Sequence, residues 1–256
     1  MNDIQNEFIS TVSHELRTPL TSIRGFSQTL LSSWDKLDEE SKKKFVRIIE
    51  EQSNRLIHLV ENILTVSKIN ADKPVIREVN VNSSIEKVIQ IVSQKYGEHR
   101  VITKFNKHLP SVRLDDKFQQ VMTNLIENAC KYSENGKDVI ISTSFADSDN
   151  VLISIKDEGV GIAEKDLDKI FEKFIRLENH LTSTTQGNGL GLYITKNLVE
   201  AMNGEIKISS NEKKSSKSLA SFTITYVPKA PCFCKLYLSL SARIGFLSHA
   251  VINALL

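Results

Sequence analysis

From residue 4 to residue 70 the sequence keeps a helical apolar period with one short break, which restricts this part of the chain to a helical hairpin. In the first run, residues 4–31, Phe8, Val12, Leu16, Leu20, Ile23 and Leu30 fall on one stripe. Residues 32–38 read as a connector. The second run, from Glu39 to Asn70, carries Phe45, Ile48, Ile49, Gln52, Leu56, Leu59, Ile63 and Val66, close to a heptad. Pro19 interrupts the first run and predicts a local kink, because proline removes a backbone donor. Each stripe is wider than one partner helix covers. The economical solution is a symmetric homodimer that closes two hairpins into a four-helix bundle. The alternative is a hairpin packed on its own C-terminal domain.

After Pro74 the pattern changes. Strands are predicted at 75–81, 100–106, 138–145, 150–157, 205–210 and 221–227, and helices at 83–96, 115–132, 164–171 and 190–203. Helices segregated to one face of a mixed sheet give an α/β sandwich. The fold class is therefore α + α/β: a hairpin at 1–72, a second domain at 73–228 and a tail at 229–256. The polar, lysine-rich stretch 210–218 reads as a hairpin loop. The tail is apolar without clear periodicity; a docking helix, a membrane-surface segment and a non-native read-through all remain open.

The composition excludes several classes. Among 256 residues the net charge is +2, with no clustered basic stripe, so no nucleic-acid partner is expected. Cys130, Cys232 and Cys234 form no disulfide framework, and the C-x-C pair lacks a second pair to complete a zinc site. The N-terminus has no apolar signal region, and no run of about 20 apolar residues offers a transmembrane segment. A cytoplasmic location is expected for this chain, compatible with the cytoplasmic part of a membrane-associated parent.

The segment FISTVSHELRTPL, residues 8–20, places His14 on a helix beside Glu15, with Thr18 four residues on and on the same face. A neutral imidazole is a good phosphoryl acceptor near neutral pH. A neighbouring carboxylate can fix its tautomer and take up its proton, and a hydroxyl at Thr18 could orient a water for the reverse, hydrolytic step. An isolated His–Glu pair is more often an ordinary helix-surface pair.

Four further segments follow in order. NLIENACKY, 124–132, puts Asn124, Asn128 and Lys131 on one helical face, where an amide carbonyl can hold Mg²⁺ and a lysine can meet phosphate. DEGVGI, 157–162, ends a predicted strand; Asp157 could accept from an adenine amino group, and Gly159 and Gly161 let backbone approach a flat ring. IFEKFIR, 170–176, offers Phe171 and Phe174 as anchors of a loop, or simply as core, with Arg176 near the loop's start. GNGLGL, 187–192, opens a helix with glycines that expose backbone donors to phosphate.

The thirteen-residue string resembles the phospho-acceptor box of the histidine kinase dimerisation and phosphotransfer domain, including Ser13, Arg17, Thr18, Pro19 and Leu20. The four later segments resemble the ATP-binding domain shared by histidine kinases, gyrase, heat-shock chaperones and mismatch-repair ATPases. The two resemblances together cover residues 4–228. They imply ATP and Mg²⁺ as ligands, with the metal on Asn128 and Asn124 and adenine read by Asp157. Around them stand Lys131, Tyr132, Gly159, Gly161, Ile162, Phe171, Arg176, Gly187, Gly189, Leu190, Gly191 and Leu192, with residues 177–187 as a lid.

The implied activity is that of a protein-histidine kinase in two-component signalling. His14 would be autophosphorylated, and the phosphoryl group would pass to an aspartate on a response regulator docked near residues 22–30. A phosphatase-dominant protein acting through Thr18 and a scaffold with a vestigial ATP site are the alternatives. In the hydrolytic ATPases a glutamate activates water at the position of Asn124, and an amide cannot take that proton. Two positions depart from the family pattern: the lid LENHLTSTTQ, 177–186, has no Lys or Arg and only His180 as a potential cation, and LASFTIT, 219–225, lacks the usual glycine.

Overall fold

A computed structural model of the chain describes residues 2–69, 75–97, 99–133, 136–146, 150–177, 187–211 and 219–226, without the side chains of 2–7, 211, 219 and 220. Residues 178–186 of the expected lid at 177–187, residues 212–218 of the expected loop at 210–218, the Cys232–Cys234 pair and the tail at 229–256 lie outside the described residues. The chain divides into two compact units, 1–73 with 165–197, and 74–164 with 198–256.

In the first unit, α1 (Asn2–Ser33) and α2 (Glu39–Lys68) form the hairpin, joined by a 3₁₀ turn at Trp34–Lys36. Asp38 caps α2: its carboxylate accepts from the Ser41 backbone N–H at 2.7 Å and from the Ser41 hydroxyl at 2.9 Å. That backbone hydrogen bond leads the causes holding its pKa below the usual carboxylate value. The helices meet through Phe26 and Phe45, whose rings lie 5.1 Å apart, and through the buried Leu30 and Leu59. α1 runs through Pro19 as one helix. Pro19 is buried, whereas Leu20, on the apolar stripe, is 51% exposed within the single hairpin. The helix expected at 164–171 is two 3₁₀ turns, Glu164–Asp166 and Lys169–Phe171. Its apolar residues, Leu167, Ile170 and Phe171, span little more than one turn, too short a stripe to carry a helix.

In the second unit a five-stranded sheet runs β2 (Arg100–Phe105), β4 (Asp138–Phe145), β5 (Val151–Asp157), β7 (Leu219–Tyr226), β6 (Gly204–Asn211). The β2–β4 pair is parallel and the others are antiparallel. α3 (Val81–Lys95) packs on β2, and α4 (Phe118–Tyr132) on β4 and β5. Val81, Ile85, Val88 and Val92 of α3 are buried, as are Phe118, Val121, Met122, Leu125, Ile126 and Ala129 of α4. Full burial of each Val, Ile, Leu, Phe or Met among them contributes about 1.5–3 kcal/mol. The strands alternate in burial, as one covered face requires.

A strand that the sequence reading lacked, β3 (Val112–Asp115), pairs antiparallel with β1 (Ile76–Val79). It also moves the start of α4 from the expected residue 115 to Phe118. The Asp115 carboxylate accepts from the backbone N–H of Val75 at 2.8 Å and of Lys117 at 2.9 Å, so it ties down the strand end instead of entering the helix. α5 (Gly191–Ala201) matches the helix expected at 190–203.

Candidate functional site

The period of β5 decides where Asp157 goes. Val151, Ile153 and Ile155 face the helix-covered side, and two residues further on Asp157 does the same, at 4% exposure. An acid on this face needs partners. The Gly159 N–H donates to its Oδ1 at 3.0 Å, curling the chain into the 157–162 turn.

The glycines of that turn serve different needs. A Cβ on Gly159 would overlap the carbonyl oxygen of Tyr132, at the end of α4. The same carbonyl accepts from Val160 N–H at 3.1 Å, and Ser133 forms a β-bridge with Gly159. Gly159 is thus required by protein backbone and not, as the sequence suggested, only by a ligand ring. Gly161 has a φ of 70°, the left-handed region that glycine adopts without strain. The turn ends where Ile162 N–H donates to the Ser210 hydroxyl at 2.8 Å, a tether that sequence reasoning missed.

Along α4, burial alternates with helical period. Thr123, Asn124, Glu127, Asn128, Lys131 and Tyr132 are half-buried, while the residues between them are buried. The structure therefore keeps Asn124, Asn128 and Lys131 on one face and adds Glu127 to it. Glu127 lies 3.2 Å from Lys95 Nζ and 3.9 Å from Lys131 Nζ. Burial holds the Lys131 ammonium below its ordinary pKa, with Glu127 opposing that shift and Lys95 adding to it. Cys130, on the buried side, has its thiol pushed up to about 11 by burial, which keeps it an inert thiol. Among the described residues no cluster of three His, Cys, Asp or Glu could hold a metal. A metal here would need amide and phosphate oxygens, a donor set that suits Mg²⁺.

In the other unit, Gly189 has a φ of 68°, and a Cβ there would strike the backbone of Phe174. Phe174 itself sits at φ 63°, uncommon for a bulky residue, and its N–H donates to the Gly189 carbonyl at 2.9 Å. Its ring lies 5.6 Å from that of Phe8. Phe171 lies under the Lys196 ammonium at 5.6 Å. Leu190 is fully buried and its N–H donates to Asn188 Oδ1 at 3.3 Å, where α5 begins. The first turn, from Gly191 and Leu192 onward, leaves backbone donors without intrahelical acceptors. Gly187 has open space where a Cβ would stand, so no steric reason demands glycine there. Arg176 is exposed.

On α1, the His14 side chain is 76% exposed. Its Nδ1 lies 4.0 Å from Glu15 Oε1, near enough for attraction but too long for a hydrogen bond. The other carboxylate oxygen of Glu15 lies 3.6 Å from the guanidinium of Arg55 on α2. Glu15 is 27% exposed and Arg55 25%. Arg55 thus holds the acid beside the histidine. Nothing in the local motif pointed to it, because its sequence distance from Glu15 spans the hairpin. The Thr18 hydroxyl is turned back onto the His14 carbonyl at 3.3 Å.

Comparison with known proteins agrees with both halves. Residues 4–72 match the His Kinase A (phospho-acceptor) domain, and 114–231 match the histidine kinase-, DNA gyrase B- and HSP90-like ATPase. Sensor histidine kinase WalK of Bacillus subtilis is 35% identical over 235 residues, 88% of this chain but 37% of that protein. The histidine kinase AdeS of Acinetobacter baumannii superposes with a TM-score of 0.65 at 27% identity, covering 85% of this chain and 98% of that one. ShkA in complex with AMPPNP superposes at 0.61 with 26% identity, covering 88% of this chain and 47% of that one. A phospho-acceptor hairpin followed by an ATPase-type sandwich is the catalytic core of a sensor histidine kinase, and this chain belongs to that family. It spans little more than a third of the length of the WalK relative.

Proposed function

We propose that this chain binds ATP with Mg²⁺, transfers the γ-phosphoryl group to His14 and passes it to an aspartate of a response-regulator receiver domain. It would do so in the cytoplasm, as a homodimer built on the hairpin. The observation that carries the reading is His14 itself: a highly exposed imidazole whose Nδ1 faces a carboxylate, leaving Nε2 to the reaction. The Nε2 lone pair attacks the γ-phosphorus, the bond to the β–γ bridging oxygen breaks, and ADP leaves. The Nδ1 proton passes to Glu15, which Arg55 keeps in place.

In this reading Asp157 and the 157–162 turn, with Tyr132, take the adenine. Lys131, Arg176 and the Gly187–Leu192 segment meet the phosphates. Asn128 and Asn124 would hold Mg²⁺, which would supply charge neutralisation for the phosphates. Asn124 cannot activate water, which spares the γ-phosphoryl for His14.

Incubation with γ-labelled ATP tests the proposal. Acid-labile label is expected on the parent and none on His14→Gln. A chain that binds ATP yet acquires no label would overturn it.

A further inference from the structure

The face of α4 read as nucleotide-binding carries one acid, and an acid there repels phosphate unless something neutralises it. Glu127 divides its two oxygens. Oε1 lies 3.2 Å from Lys95 Nζ at the end of α3, and Oε2 lies 3.9 Å from Lys131 Nζ, one turn along α4. The Glu127 and Lys131 side chains are each 24% exposed, whereas Lys95 is 60% exposed. The closer contact is therefore with the outer lysine and the looser one with the inner. Without Lys95, Glu127 and Lys131 would form a closed pair with no net charge. With it, the cluster carries one net positive charge, and Lys131 is the lysine held more loosely by the carboxylate. Burial lowers the Lys131 pKa, Glu127 opposes that shift and Lys95 adds to it, so the three groups are electrostatically linked. The expected lid, 177–186, contains no Lys or Arg, which makes a freed lysine on α4 more valuable.

We propose that Lys95 is a positioning residue for phosphate recognition: by occupying one oxygen of Glu127, it releases Lys131 from that carboxylate to meet the phosphate chain of the nucleotide. The inference rests on the reading of Lys131 as a phosphate ligand. It extends the site onto α3, outside every motif of the sequence.

Calorimetric titration of the full chain with Mg²⁺-ATP and, separately, with adenosine tests it. Lys95→Gln is expected to weaken ATP about two- to five-fold, the scale of a partly exposed ion pair, while adenosine binding stays unchanged. In labelling assays KM for ATP rises and kcat does not. Lys95→Arg retains parental affinity. Adding Glu127→Gln to Lys95→Gln restores it, since the competing carboxylate is gone. A Lys95→Gln chain with unchanged ATP affinity overturns the inference, and so does an equal loss for ATP and adenosine, which would mark a structural role. Lys131→Gln separates the two levels. If it weakens ATP but Lys95→Gln does not, only the inference fails; if Lys131→Gln itself leaves ATP affinity intact, the phosphate reading fails with it.

Discussion

A glycine at a ligand site has two possible employers, the ligand and the protein, and Gly159 works for the protein. Its missing Cβ makes room for the Tyr132 carbonyl, which then accepts from Val160 and fixes the turn to the end of α4. Gly159→Ala should therefore cost about 1–3 kcal/mol of stability, as overpacking does, and weaken adenosine binding because the turn and Asp157 move together. Thermal unfolding with adenosine titration checks both, and parental values in each would refute the account. How much of this was legible in the sequence differs from residue to residue. Asp157 was, since strand period alone carries it to the covered face. Gly159's reason, Arg55's grip on Glu15 and the Ser210 tether were not, because each joins residues far apart in sequence. Apolar spacing places Leu20 on the stripe but cannot tell which of its residues meet the partner inside the hairpin, and Leu20 is left 51% exposed there.

At the scale of elements, α1, α2, α3, α4 and α5 were readable because each carries several turns of apolar period, whereas β3 and the 164–171 segment were too short for period to decide. Pairing of strands is less legible still, and the parallel β2–β4 pair needs explaining, since its strands come from distant sequence. Arg100 and Asp138 open it in register, with two hydrogen bonds of 2.8 and 2.7 Å between guanidinium and carboxylate. Those bonds hold the Asp138 carboxyl below its ordinary pKa. A depressed carboxyl pKa adds stability that is present above the unfolded value, about 3.9, and is lost as pH falls through the folded one. The denaturation midpoint of Asp138→Asn should lie below the parent's near neutrality. The gap should hold down to about pH 5 and close below about pH 4. A gap that persists at the lowest pH would show that the pair acts through packing and not charge.

At the scale of the molecule, the hairpin leaves a second apolar face that its own two helices do not cover. Ile9, Leu20 and Leu31 on α1 are 55%, 51% and 85% exposed and recur every eleven residues, close to three full turns, so they share one line along the helix. On α2, Val46 and Ile57 repeat the eleven-residue step, and Val60 and Leu64 follow at three and seven residues from Ile57, with exposures between 41% and 53%. Two such lines on adjacent helices make a surface too apolar to be left to water. A second hairpin with the same lines, related by a two-fold axis, would cover it symmetrically. Each large side chain so buried contributes about 1.5–3 kcal/mol. The double variant Leu20→Glu, Leu64→Glu places charge on both lines while sparing the Phe26–Phe45 contact and the buried Leu30 and Leu59 that hold the hairpin itself. Sedimentation equilibrium should give twice the chain mass for the parent and the chain mass for the variant. Circular dichroism should show whether the variant keeps its helices. A variant that still sediments as a dimer would mean that these lines face something other than a second copy of the chain.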